Sequence, residues 1–325
     1  MTTIPQNRAG LAIMFILIGM AAISFNDMFI KQLSGAYPLY EIVFARSALG
    51  ILIGLALVKW EGGFHLLKTD QPWAHILRGT LIVISNMTFF LALAALPLAE
   101  ATALFFVAPL FITLLSIPML GEKVGVLRLG AVAVGFVGVI IMQRPWADGD
   151  TLQASRLVLM LPIVAAITYA LNQLMTRKLG VKAKASVLSV YIQGVFIVAS
   201  VGFYVVAGDG HLVGPDDGPS LQFLLRPWIW PLPGDEWVFV ALGVNSALIG
   251  YCLSQAYRMG DAATVAPFEY VLLPMAVFWG FVIFGDLPVW EVWLGIALIL
   301  AAGLFVFLRE RANSKQITKG HAARR

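Results

Sequence analysis

Charge is scarce in this chain of 325 residues: Asp, Glu, Lys and Arg make up 12%, against 60% hydrophobic residues. A soluble domain carries about a quarter charged residues, so this composition, with a mean hydropathy of +0.86, belongs in a lipid bilayer. Cysteine is nearly absent. Cys252 alone, inside an apolar run, excludes a disulfide framework and a cysteine metal site. The four histidines, His65, His75, His211 and His321, read as loop or tail residues and make a metal cluster improbable. No P-loop, HExxH helix or Gly-x-Ser-x-Gly elbow occurs, which argues against an ATP-driven pump, a zinc hydrolase or a serine hydrolase, and no cofactor is implied. The net charge of +4 does not point to nucleic acid, because the basic residues lie in short loops and the C-terminus rather than on an aromatic platform.

What is abundant is apolar length. About 20 apolar residues span a bilayer, and ten segments qualify: 9–31, 38–58, 75–96, 99–119, 124–142, 157–176, 185–207, 237–257, 262–284 and 289–308. Backbone groups in lipid must be satisfied internally, and continuous apolarity without alternation selects helices over a barrel. The first segment follows Arg8 and reaches Ala21 and Ala22, a pattern shared with signal peptides. Its apolar run is longer than a signal core, so it is expected to stay as a span.

A pattern recurs along the chain. Glu100, Ala101 and Thr102 open a span containing Pro109 that stops at Gly121 and Glu122, and Gly130 lies in the next span; Asp261, Ala263 and Thr264 open a span containing Pro267 and Pro274 that stops at Gly285 and Asp286, with Gly295 following. Five spans per copy force the copies into opposite orientations. The expected fold is therefore an all-α membrane protein of ten transmembrane helices in two inverted five-helix repeats, 9–142 and 157–308, with a basic tail at 310–325 that is expected to lack structure and to rest on the anionic inner leaflet. With both termini cytoplasmic, 17 Lys and Arg residues fall inside and five outside, as the positive-inside rule requires. The one long loop, 208–236, then faces outward, and Phe223, Trp228 and Trp230 read as an interfacial anchor or, alternatively, a lid.

Polar groups at membrane depth are costly unless they pair or line a watery cavity. The candidates for substrate or coupling roles are Asn26, Asp27, Arg46, Asn86, Asn172, Gln173, Tyr191, Gln193, Asn245, Tyr251, Gln255, Glu269 and Tyr270. Glu269, between Pro267 and Pro274, is read either as binding a substrate amine or proton or as snorkelling to the interface. Asp27 and Arg46 are expected to pair with Lys31 or Glu41, as a structural cluster or a substrate contact. Glu100 and Asp261 suit helix N-termini. Gly295 and Gly303 share a face suited to close packing, within the chain or in a homodimer.

The run ALPLAEATALFFVAPLFITLLSIPMLGEKVG followed by AVAVGFVGVIIMQRP resembles the fourth and fifth helices of an EamA-like member of the drug/metabolite transporter superfamily. The second half departs from that pattern at Gly285-Asp286-Leu287-Pro288. The resemblance implies a bacterial inner-membrane carrier of a small-molecule substrate such as an amino acid, nucleoside-like compound or vitamin, working by alternating access with proton coupling as one means of drive. A membrane-embedded enzyme or scaffold acting on lipid head groups is the alternative. It needs polar groups gathered at one interface, whereas here they are scattered through the depth of both halves.

Overall fold

The computed structural model describes residues 6–69, 71–121, 124–146, 155–179, 185–259 and 265–322, without side chains for 6–9, 176–179, 185, 254, 257, 258, 266, 267 and 310–322. The first half comprises α1 (Gln6–Leu33), α2 (Leu39–Glu61), α3 (Pro72–Leu93), α4 (Leu98–Phe105), α5 (Ala108–Leu120) and α6 (Val126–Gln143). The second comprises α7 (Arg156–Leu179), α8 (Ala185–Ala207), the short α9 (Pro219–Leu225), α10 (Glu236–Met259), α11 (Leu272–Phe284) and α12 (Trp290–Ala322). Two 3-10 segments, Phe64–Leu67 and Ala266–Val271, follow α2 and precede α11. Among the described residues, nine segments are long and apolar enough to cross a membrane, Leu98–Leu120 counting as one, and Phe268–Phe284 is a shorter apolar tenth. The segments expected from apolar length match these within a few residues.

The packing maps onto itself when the halves are exchanged. The first span packs on the eighth (α1 on α10) and the sixth on the third (α7 on α3). The second packs on the eighth (α2 on α10) and the seventh on the third (α8 on α3), while α2 meets α8, α4 meets α11 and α6 meets α12. Side-chain bonds follow the same exchange: Asn245 on α10 donates to the Ala22 carbonyl of α1 at 2.6 Å, and Ser85 on α3 donates to the Ala165 carbonyl of α7 at 2.8 Å.

The fourth and ninth spans are both interrupted. Pro109 has no N–H to offer Phe105, and the helix breaks at Phe106 and Val107 before resuming as α5. In the ninth span the break is the 3-10 segment ahead of α11, with Pro274 one turn in. Gly121 and Gly285 stop α5 and α11 with φ of 68° and 70°, the left-handed turn that only glycine adopts without strain. Gly138, Gly295 and Gly303 are consumed inside the chain: Gly138 and Gly295 seat α6 against α12, and Gly303 lies under the Tyr270 hydroxyl. Asp261, Ala263, Thr264 and Glu122, parts of the repeated pattern, lie outside the described residues.

Two expectations need correction. The 310–325 tail is not structureless over its described length, since α12 continues through it to Ala322. His75 is not in a loop; it is buried in α3, its ring stacked on Tyr191 at 4.6 Å and 9°. In the 208–236 loop, Phe223 is fully buried against the bundle and Trp228 packs on Tyr40, Phe44 and Tyr204, while Trp230 is exposed.

Candidate functional site

Arg46 is the most deeply placed cation whose partners are visible. Its α2 position buries it to 7% exposure, and its guanidinium lies 5.1 Å from the ring centres of both Phe90 on α3 and Phe196 on α8. One nitrogen donates to Asn26 Oδ1 at 3.2 Å, and Asn26 in turn donates to Asp27 Oδ1 at 3.1 Å. Isolating a charge from water costs several kcal/mol; two cation–π contacts of about 0.5–2 kcal/mol each and a charge-assisted hydrogen bond offset part of that. The balance is incomplete. Arg46 Nε has no hydrogen-bond partner, nor do Ser24 Oγ, Ser47 Oγ, Gln193 Oε1 and Ser200 Oγ, all buried on α1, α2 and α8. Each such atom costs about 1–3 kcal/mol while unpaired, a cost that water or a polar ligand between these helices would recover.

The expected partners of this pair are engaged elsewhere. Lys31 donates to the carbonyls of Leu93 and Leu96 at 3.0 and 2.6 Å and sits 5.2 Å from the Phe284 ring centre. A cation at the end of α3 meets the negative pole of the helix and its unsatisfied carbonyls. Glu41 accepts the Ile229 N–H at 3.2 Å and so fastens the long loop. Asp27 and Arg46 therefore belong together through Asn26.

Residues 46, 50 and 54 recur every four positions on one face of α2, and below Arg46 that face is glycine. A methyl on Gly50 would lie 2.9 Å from Gln193 Nε2 and 3.1 Å from Ser246 Oγ, two groups that bond each other at 2.6 Å. Beyond them a narrow cleft runs between α2, α8 and α10, lined by Gly54, Ser189, Gly250, Tyr251 and Gln255 and ending at Glu61 and Ser186. The cleft thus leads from the end of the bundle opposite the 208–236 loop to the Gln193–Ser246 bond, one helical turn from Arg46.

Other candidates fall into a second group. Gln173 donates to Tyr169 Oη at 2.7 Å, and Glu269, in the 3-10 segment ahead of α11, lies within electrostatic reach of Tyr169 and Tyr270. The Tyr270 ring meets Phe106 at 5.3 Å, so the two helix breaks touch. Asn172 is buried on α7. Asn86 bonds the Ile82 carbonyl of its own helix at 3.0 Å, a local contact. Tyr191 is drawn away from the centre to the Leu67 carbonyl.

Over the loop end, 208–236 forms a strap. Tyr40 donates to the Arg226 carbonyl at 2.7 Å, Ser220 to the Leu91 carbonyl at 2.7 Å, and Tyr37 to Asp235 Oδ2 at 2.7 Å while accepting the Leu232 N–H at 2.8 Å. Burial, with the Asp235 carboxylate beside it, pushes the Tyr37 phenol above its ordinary value. This end of the bundle is shut.

Phe196, Ser246, Tyr37 and Tyr40 escaped the sequence reading. The signal for the first two was the spacing of Arg46, Gly50 and Gly54, a small-residue track that faces something.

Residues 10–144, almost the whole first half, match the EamA-like transporter family. The chain is 30% identical to a riboflavin transporter of Rhizobium johnstonii over 86% of its length and 85% of that protein's, and 31% identical to a riboflavin transporter of Vibrio cholerae over 86% of each. It is 27% identical to an S-adenosylmethionine uptake transporter of Rickettsia prowazekii over 93% and 94% of the two chains. A solved crystal structure shares the fold, with a TM-score of 0.60 at 19% identity over 93% of this chain and 98% of its own. With interrupted helices meeting at the centre of a two-half bundle and relatives of this identity along most of its length, the chain is a multi-pass membrane protein that belongs to the EamA-like transporter family.

Proposed function

We propose that this chain is a secondary carrier that moves a small metabolite bearing a flat ring and polar groups through the Arg46 site by alternating access. The observation that carries the reading is the Arg46 cluster: a buried cation between two phenyl faces, with orphaned polar atoms on the same helices and a glycine-lined cleft leading to it. Phenyl faces favour a flat partner, and the polar atoms favour one with hydroxyl, amide or carboxylate groups. Riboflavin and S-adenosylmethionine, named for the relatives, both join a flat heterocycle to a polar chain.

The remaining features of the proposal follow the sequence. The repeats are 9–142 and 157–308, the first nearly coinciding with the family match. Both termini face the cytoplasm of a bacterial inner membrane, so the strap lies outside and the cleft opens inward. Glu269 and Asp27 are the groups that would carry a coupled proton. The test is counterflow in proteoliposomes loaded with riboflavin, S-adenosylmethionine, nucleosides or amino acids, with and without a proton gradient. Exchange of a ring-bearing compound supports the reading. Exchange of amino acids lacking a ring, or none from folded protein, contradicts it.

A further inference from the structure

The outer strap and the cytoplasmic turn 62–69 occupy equivalent places. Each joins the second span of its half to the third, and the proposed inversion puts them on opposite faces. Each is also held by a tyrosine from the second span of the other half. Outside, Tyr40 of α2 donates to the Arg226 carbonyl in the strap, its ring stacked on Phe203 of α8 at 6.4 Å and 10°. Inside, Tyr191 of α8 donates to the Leu67 carbonyl in the turn, its ring stacked on His75 of α3. Both contacts therefore cross between the halves that alternating access must separate, first at one face and then at the other.

We propose that Tyr40 and Tyr191 are paired gate residues, each phenol holding the opposite half's loop while its own face is closed, with the two bonds breaking in alternation. A phenol suits this use: its hydrogen bond to a loop carbonyl is worth little net, because water replaces both partners when the gate opens, and the flat ring can leave its stacked neighbour without burying a charge. The two gates differ in strength. The outer one is reinforced by the Tyr37–Asp235 and Glu41–Ile229 bonds and by the buried Phe223. The inner one adds the Ser186–Glu61 bond at 2.8 Å and the packing of Leu66 and Leu67 with Val187 and Val190. The difference agrees with a cleft on the inner side and a shut outer face.

The proposal rests on the carrier reading, but its test needs no substrate, so either can fail while the other stands. In a Cys252→Ala background, Ser200→Cys reports outer opening, since Ser200 is fully buried in the outer half of α8, and Ser189→Cys reports inner opening from the cleft wall. Each is labelled with a membrane-impermeant maleimide from its own side in oriented vesicles. Tyr40→Phe, which keeps the ring stack, should speed outer labelling about fivefold, the effect of losing one net hydrogen bond, and slow inner labelling. Tyr191→Phe should do the reverse, and the double variant should restore the wild-type ratio of the two rates. Rates that stay unchanged, or that rise together at both faces, would overturn the assignment, because simple loosening has no reason to close the far side.

Discussion

At the residue scale the account rests on Arg46. Its planar guanidinium fits between two rings and donates in a fixed fork, and lysine reproduces the charge but neither property. Arg46→Lys is therefore expected to weaken substrate binding by about tenfold or more, the equivalent of one charge-assisted hydrogen bond at about 1.5–3 kcal/mol. Phe196→Ala should weaken it by a comparable factor. Tryptophan quenching or counterflow KM measures both; a lysine variant with wild-type KM would show that Arg46 serves architecture alone. Gly50→Ala makes a different point, because its methyl presses on the Gln193–Ser246 pair. Overpacking of this kind costs about 1–3 kcal/mol, and the expected outcome is slowed transport with substrate binding at Arg46 retained. The polar inventory was readable from residue type and depth, so Asn26, Asp27 and Arg46 stood out. Their partners were not readable. Lys31 and Glu41 lie nearer in sequence, but helix-end carbonyls and a loop amide placed far along the chain won them, and only tertiary structure reveals that competition.

At the element scale, the interruptions at Phe106–Val107 and Ala266–Val271 are where the two halves touch through Phe106 and Tyr270. Pro109→Ala restores an N–H to the chain and favours a continuous fourth span. The expected result is a protein of equal or higher thermal stability with reduced transport; full activity would deny the break a role. Lys31→Ala removes the cation that closes α3, and about 1–2 kcal/mol of stability should go with it, read as a lower unfolding midpoint without a change in substrate KM. Element identity was legible because long apolar runs have few alternatives in a bilayer. The prolines flanking Glu269 were legible as a site of bending, but the 3-10 form of Ala266–Val271 was not, because apolar length carries no trace of that change.

At the scale of the whole molecule, the proposed alternating access uses the exchange of packing partners between halves to reach two related arrangements, one open to each side. In that account the strap's bonds favour the arrangement closed at its own face. Tyr37 holds its proton more tightly in the folded state than in the unfolded one, because burial and Asp235 both disfavour the phenolate. Its tether is thus intact below the ordinary tyrosine value near 10 and is lost as the pH rises beyond it. Hydrogen exchange of the strap around Leu232, compared with Tyr37→Phe at each pH, should show protection that is steady through neutral pH and falls only in strong alkali. The repeated glycine, proline and acid positions pointed to a duplication, and the packing that maps onto itself when the halves are exchanged supports it. The strap was not legible, since a loop rich in Gly, Pro and Asp carries no sign of which tyrosines will hold it.

The most direct test of the central claim is counterflow of a ring-bearing metabolite in proteoliposomes, run side by side for the wild type and Arg46→Gln. The account predicts rapid exchange by the wild type and loss of that exchange in a folded Arg46→Gln protein. Equal exchange by both proteins would contradict it.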